Sequence, residues 1–218
     1  MEVGRSISKA IAERLGGDMD SAMLHACNAV DGTAKKIYPT LGVGARFRKL
    51  LRDNYASILE PMMPGINLEE TVFPIPIADA SGPGGRPDVA TILYAIHRCA
   101  HGHGDALPIG YELIPDTTTE PPRTTMELGP DPNGDWSVHL TDRSIYGMAA
   151  VALLSPVNVG QVLEGVNLTY SSLSGDIRIR LNNDWWGRAD DFAIIAAMDR
   201  NRKRLTLDFS NVMPAAPP

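Results

Sequence analysis

Apolar positions in the first hundred residues recur every three or four places, the spacing of one helical face. Ile7, Ile11 and Leu15 form a stripe that ends at Gly16-Gly17, where glycine can close a helix. Asp18 or Asp20 can cap a second helix, whose inner face carries Met19, Met23, Ala26, Cys27 and Val30; Pro39 lies just past its last turn. Val43 to Met62 reads as a third helix, with Phe47, Leu50, Leu51, Ile58 and Leu59 inward and Arg46, Arg48, Lys49 and Arg52 outward. Six prolines between Pro61 and Pro87, with a Ser-Gly-Pro-Gly-Gly run, predict a long connector and a short strand near Thr71 to Phe73.

Pro87-Asp88 suits the start of a fourth helix, whose stripe is Val89, Ile92, Leu93, Ile96 and Ala100, ended by Gly102 and Gly104. The period then changes. Tyr111 to Ile114, Thr124 to Leu128 and Trp136 to Leu140 are short β-prone runs between turn-rich segments. Asp142 can cap a fifth helix, Ile145 to Leu154, apolar nearly all round and therefore central. Asn167 to Ser171, Ile177 to Leu181 and Leu205 to Phe209 read as strands, and Ala189 to Met198 as a helix. The expected fold class is α+β, a mainly helical bundle core with small antiparallel β elements. The expected organisation is a single domain over 1–218: a helical core at about 5–155, a β/α extension at about 161–210, and a disordered tail at 213–218.

Composition narrows the classes. In 218 residues, 44% are hydrophobic and 21% charged, ordinary globular usage. A net charge of -6 argues against a broad nucleic-acid coat while leaving room for a local basic cleft. The longest apolar stretch, Met148 to Leu154, is too short to cross a bilayer, and charges interrupt the first seventeen residues where a secretory signal needs an apolar core. A cytoplasmic protein without membrane partners is expected. Cys27 and Cys99 form no CxxC pair, so neither a disulfide scaffold nor a zinc ribbon is expected.

The candidate chemistry is concentrated at His97-Arg98-Cys99-Ala100-His101-Gly102-His103-Gly104-Asp105, which holds three of the five histidines. Imidazole moves protons near neutral pH, and arginine offers a permanent cation shaped for phosphate. On a helix Tyr94, Arg98 and His101 share a face, whereas His97 points about 100° away from Arg98. A helix break at Gly102 would let His103 fold back, so His101 and His103 are both admissible partners for Arg98.

The spacing Arg98-Cys-Ala-His-Gly-His103 resembles the Arg-x(4–6)-His signature of the HEPN superfamily, and the Gly104-Asp105 ending resembles abortive-infection and toxin-type prokaryotic relatives. The resemblance implies a helical homodimer and a metal-independent endoribonuclease acting on RNA, with no cofactor and no metal. Arg98 would stabilise the phosphorane-like transition state and His103 would act as acid–base, supported by Tyr94, His101 and Asp105.

Other readings stay open. Arg98 could pair with Glu112 or Asp105 and cap carbonyls. His97 and His101, at i and i+4, could hold a metal with His103 or His25, although Arg98 lies between them in sequence. The bundle could also serve as a non-catalytic interaction or regulatory protein. Cys99, where active superfamily members carry a polar residue, and the acidic net charge favour that last reading.

Further candidates are the basic run Arg46 to Arg52 and the patch Asn201 to Arg204, each a phosphate-tracking face or a solvated one. In Trp185-Trp186 one ring can be buried and the other exposed for stacking on a base, sugar or partner, although core anchoring is the commoner use of such rings. Asp190-Asp191 is expected to start a helix, not to form a metal pair. Gly82-Pro-Gly-Gly85 lacks the lysine of a phosphate-binding loop, and no Gly-x-Ser-x-Gly elbow occurs.

Overall fold

A computed structural model describes residues 2–63, 65–73, 86–95, 111–116, 126–130, 136–172, 175–199 and 204–206. Helix α1 (Val3–Gly16) and helix α2 (Met19–Ile37) form a tight hairpin. Gly17 adopts φ +90, and the paired bonds Gly17 N–H to Arg14 O and Asp18 N–H to Glu13 O close the helix. Only glycine takes this left-handed position without strain. Asp18, not Asp20, caps α2 by accepting from the Ser21 amide at 2.9 Å.

Helix α3 (Val43–Arg52) buries Phe47, Leu50 and Leu51 as expected, but the predicted helix does not run on unbroken to Met62. Asn54 donates its side-chain amide to the Leu50 carbonyl at 2.8 Å, ending the regular ladder. The chain then makes a wider turn over Tyr55–Leu59 and enters the short helix α4 (Glu60–Met62). Strand β1 (Gly65–Ile66) follows, whereas Thr71 to Phe73, expected as a strand, has no ladder partner among the described residues. Helix α5 (Val89–Ile92) starts at the predicted place, with Asp88 accepting from the Thr91 amide.

Strands β2 (Tyr111–Ile114), β3 (Met126–Pro130) and β4 (Trp136–Thr141) form one sheet in the order β2-β4-β3. The β3–β4 pair is antiparallel, but β2 runs parallel to β4, a pairing that the expectation of antiparallel elements missed. Helix α6 (Arg143–Leu154) leaves β4 directly, and every residue from Met148 to Leu154 is buried. It packs on α1, α2 and the turn at 55–59, the central place its all-round apolarity predicts. Asn158 pins this arrangement. Its amide donates to Thr33 Oγ1 and to the Ala152 carbonyl while its oxygen accepts from Lys36 Nζ, so a fully buried polar group is satisfied on three sides.

Strands β5 (Leu168–Ser171) and β6 (Arg178–Leu181) form an antiparallel hairpin, followed by helix α7 (Ala189–Ala197) and strand β7 (Arg204–Leu205), which pairs parallel with β1. Leu168, Tyr170, Leu181, Trp186 and Phe192 join the same buried cluster as the helices. Close backbone contact ties this C-terminal part to α1. A Cβ on Gly4 would lie 2.3 Å from the Val162 carbonyl oxygen, and Ser8 Oγ accepts from the Glu164 amide at 2.9 Å. The structure is therefore α+β and mainly helical. Among the described residues no helix is long and apolar enough to cross a membrane. The tail at 213–218 and most of the strand expected at Leu205 to Phe209 lie outside the described residues.

Candidate functional site

Of the residues expected to form the chemical site, Tyr94 is described; Arg98, His101, His103 and Asp105 lie outside the described residues, as do His97 and Cys99. Tyr94 is half-buried in the turn that continues α5. Its ring centroid lies 5.5 Å from that of Phe47, and the Arg48 guanidinium sits 5.1 Å over its face. The base of this segment is locked. Arg52 donates to both carboxylate oxygens of Asp88, at 2.8 and 3.0 Å, and to Thr91 Oγ1 at 3.1 Å. Tyr55 donates its hydroxyl to Asp88 at 3.1 Å and accepts from the Ala90 amide at 2.8 Å.

Burial alone would raise the Asp88 carboxyl above its ordinary value of 3.8. Hydrogen bonds from Arg52 and Thr91, with the Arg52 charge, outweigh it and hold the group below that value. Burial, reinforced by the Asp88 charge, pushes the Tyr55 phenol well above 10. These groups keep fixed charges near neutral pH and serve as an anchor for α5.

The run Arg46 to Arg52, expected as a phosphate-tracking or a solvated face, is in large part paired with carboxylates. Arg46 makes two bonds to Asp31 at 3.0 and 2.8 Å, Lys49 pairs with Asp53, and Arg52 with Asp88. Among the described residues, only Arg48 in this run has no carboxylate partner, and it rests on Tyr94.

A second polar site was not foreseen. Asp142 stands at the cap position before α6 but makes no side-chain bond to that helix. Its Oδ1 accepts from the Asp116 amide at 3.1 Å, and its Oδ2 pairs with Arg14 from the end of α1. Asp116 in turn accepts from Arg143 Nε at 2.5 Å. The chain Arg14–Asp142–Asp116–Arg143 lines a cleft of about 260 Å³, with Pro61 and Met62 on one side and Thr169 to Ser171 of β5 on the other. Both carboxylates are buried, at 1% and 8% exposure, and each guanidinium is about a quarter exposed, so the cleft is charge-balanced. Tyr146 also lines it; burial raises its phenol, against the lowering pull of Arg14, so it stays protonated at neutral pH. Among the described residues no histidine lines this cleft. The adjacent Asp142-Arg143, directly ahead of an all-apolar helix, was the signal available in sequence. The partner Arg14 lies too far away in the chain to be found from it.

Two histidines are described. His139 faces Glu112 across the parallel β2–β4 pair at 3.9 Å, a weak contact. His25, weighed as a third metal ligand, is held below its ordinary value, first by burial and then by the charge of Lys9. Among the described residues no group of three or more histidine, cysteine or carboxylate side chains could hold a metal ion. Trp186 is buried, and Trp185 is half-buried beneath the Arg188 guanidinium at 5.0 Å. Asp190 and Asp191 fall in the first turn of α7, where Asp191 pairs with Arg188.

Fold and site together define an α+β protein with a helical core and arginines gathered where that core meets a C-terminal hairpin. The chain belongs to the Rv1289 family, whose model matches residues 2–213. It is 36% identical over 212 residues to uncharacterized protein Rv1289 of Mycobacterium tuberculosis strain H37Rv, covering 97% of this chain and 95% of that protein. Uncharacterized protein Mb1320 of Mycobacterium bovis matches with the same identity and coverage. No solved structure matches.

Proposed function

We propose that this protein is a HEPN-like, metal-independent endoribonuclease whose site is assembled from Arg98 and His103 of two chains. His103 takes the proton from a ribose 2′-hydroxyl, and Arg98 offsets the charge that builds on the phosphate, leaving a cyclic phosphate. One histidine cannot serve both proton transfers, so a second protomer supplies the other. The observation that supports this reading is the seating of Tyr94, four residues before Arg98. Asp88 and Arg52 anchor the start of its segment, and Phe47 and Arg48 hold its ring. RNA incubated with chelator present should be cleaved by the wild type and left intact by Arg98→Ala and His103→Ala. Equal cleavage by all three removes these residues from the mechanism.

A second reading, a non-catalytic interaction or regulatory protein, is favoured by the internal pairing of Arg46, Lys49 and Arg52, which spends charge that an RNA-guiding surface would leave free. A folded wild type that neither binds nor cuts RNA decides for it.

A further inference from the structure

Beside the charge-balanced cleft lies a second, wider one. In β6 the exposed residues alternate, so Arg178 and Arg180 share one face, opposite Ser171 and Thr169 of β5. Residues two apart on a strand stand about 6–7 Å apart, a separation that lets two guanidiniums flank one tetrahedral anion. They line a groove of about 610 Å³ with Asn167, Thr169, Val166 and Leu15. Among the described residues its lining includes no acidic residue, and neither arginine has a carboxylate partner.

Arg180 is nonetheless held in place. With the Asn167 amide turned so that its oxygen faces the guanidinium, that oxygen accepts from Nη2 at 2.7 Å and Nε at 3.2 Å. A neutral amide orients the cation without cancelling its charge, which leaves the full attraction for an incoming anion. The apolar part of the lining is Leu15 and Val166, and Leu15, placed by the sequence pattern on the buried stripe of α1, is instead 72% exposed.

We infer that this groove binds a nucleoside monophosphate, its phosphate between Arg178 and Arg180 and its base over Leu15 and Val166. Three features favour this occupant. The cations call for a phosphate, the apolar lining calls for a flat uncharged body, and the volume suits a molecule of nucleotide size. A sugar phosphate lacks the apolar part, and inorganic phosphate fills only the cationic end. Nothing in this inference rests on Arg98 or His103.

Titration calorimetry with AMP, adenosine and inorganic phosphate tests it on the full chain. AMP should bind the wild type at least about tenfold more tightly than adenosine or phosphate alone. Arg180→Gln and Arg178→Gln, at exposed positions, should each weaken AMP about tenfold while circular dichroism stays unchanged. His103→Ala should bind AMP as the wild type does. The inference is overturned if AMP shows no heat up to about 1 mM, if the two arginine variants bind it as the wild type does, or if only oligoribonucleotides bind.

Discussion

Two clefts meet at Thr169 and treat arginine in opposite ways. On one side Arg14 and Arg143 are held by buried Asp142 and Asp116; on the other Arg180 is held by the neutral Asn167, and Arg178 stands free of any carboxylate among the described residues. A carboxylate fixes a guanidinium strongly but consumes its charge, so such a pair builds structure. An amide fixes it more weakly and leaves the charge for a ligand. The first cleft joins the end of α1, the segment after β2 and the start of α6 to one another, and the second opens on solvent.

The largest effect should come from breaking the first cleft. Asp142→Ala removes the partner of Arg14 and the acceptor of the Asp116 amide, and should cost about 3 kcal/mol in urea unfolding. Arg178→Gln should change stability by no more than about 0.5 kcal/mol. Similar losses in both would erase the distinction.

Next in size is Gly4→Ala. The added methyl meets the Val162 carbonyl, and the loop leading to Val166 and Asn167 must shift, for a loss of about 2 kcal/mol and weaker AMP binding. Unchanged stability would mean that the close approach does not hold the groove wall.

Acid should separate the two kinds of arginine further. Arg52, like Arg14, is carboxylate-held, and its partner Asp88 titrates below its ordinary value in the folded chain. A depressed folded pKa gives stability that is full above the unfolded value of about 3.9 and is lost as pH falls through the folded one. Unfolding measured at about pH 5 and about pH 3 should therefore show a steeper fall for the wild type than for Asp88→Asn, which starts lower. Parallel curves would show that Asp88 contributes no acid sensitivity.

The smallest effect on stability should accompany a large one on binding. Asn167→Asp converts the open groove to the closed kind. Stability should rise by about 0–1 kcal/mol, the range of a surface ion pair, while AMP affinity falls about tenfold or more. Retained affinity would show that the charge on Arg180 is not what the ligand feels.

Much of the helical layer was legible because a stripe such as Ile7–Ile11 or Val89–Ile92 depends on near neighbours in sequence. Gly17 and Asp18 marked their turn for the same local reason. The parallel β2–β4 pair was not legible, since register between segments about 27 residues apart leaves no periodic trace. Asp142 was read as a helix cap, its commonest local use. Its actual partners, Arg14 and Asp116, come from other elements. Leu15 completed a pattern on paper, but α1 ends one residue later, at the exposed turn that closes the hairpin. The Arg98–His103 spacing could be read in sequence, yet of that set only Tyr94 falls within the described residues.

The amide behind Arg180 has a consequence for proton traffic. Guanidinium keeps its proton throughout the range in which proteins stay folded, and a carboxamide has none to lose. Any variation of affinity with acidity would then originate in the guest, whose second ionisation lies near 6, so tighter capture above that point would identify the dianion as the species taken up.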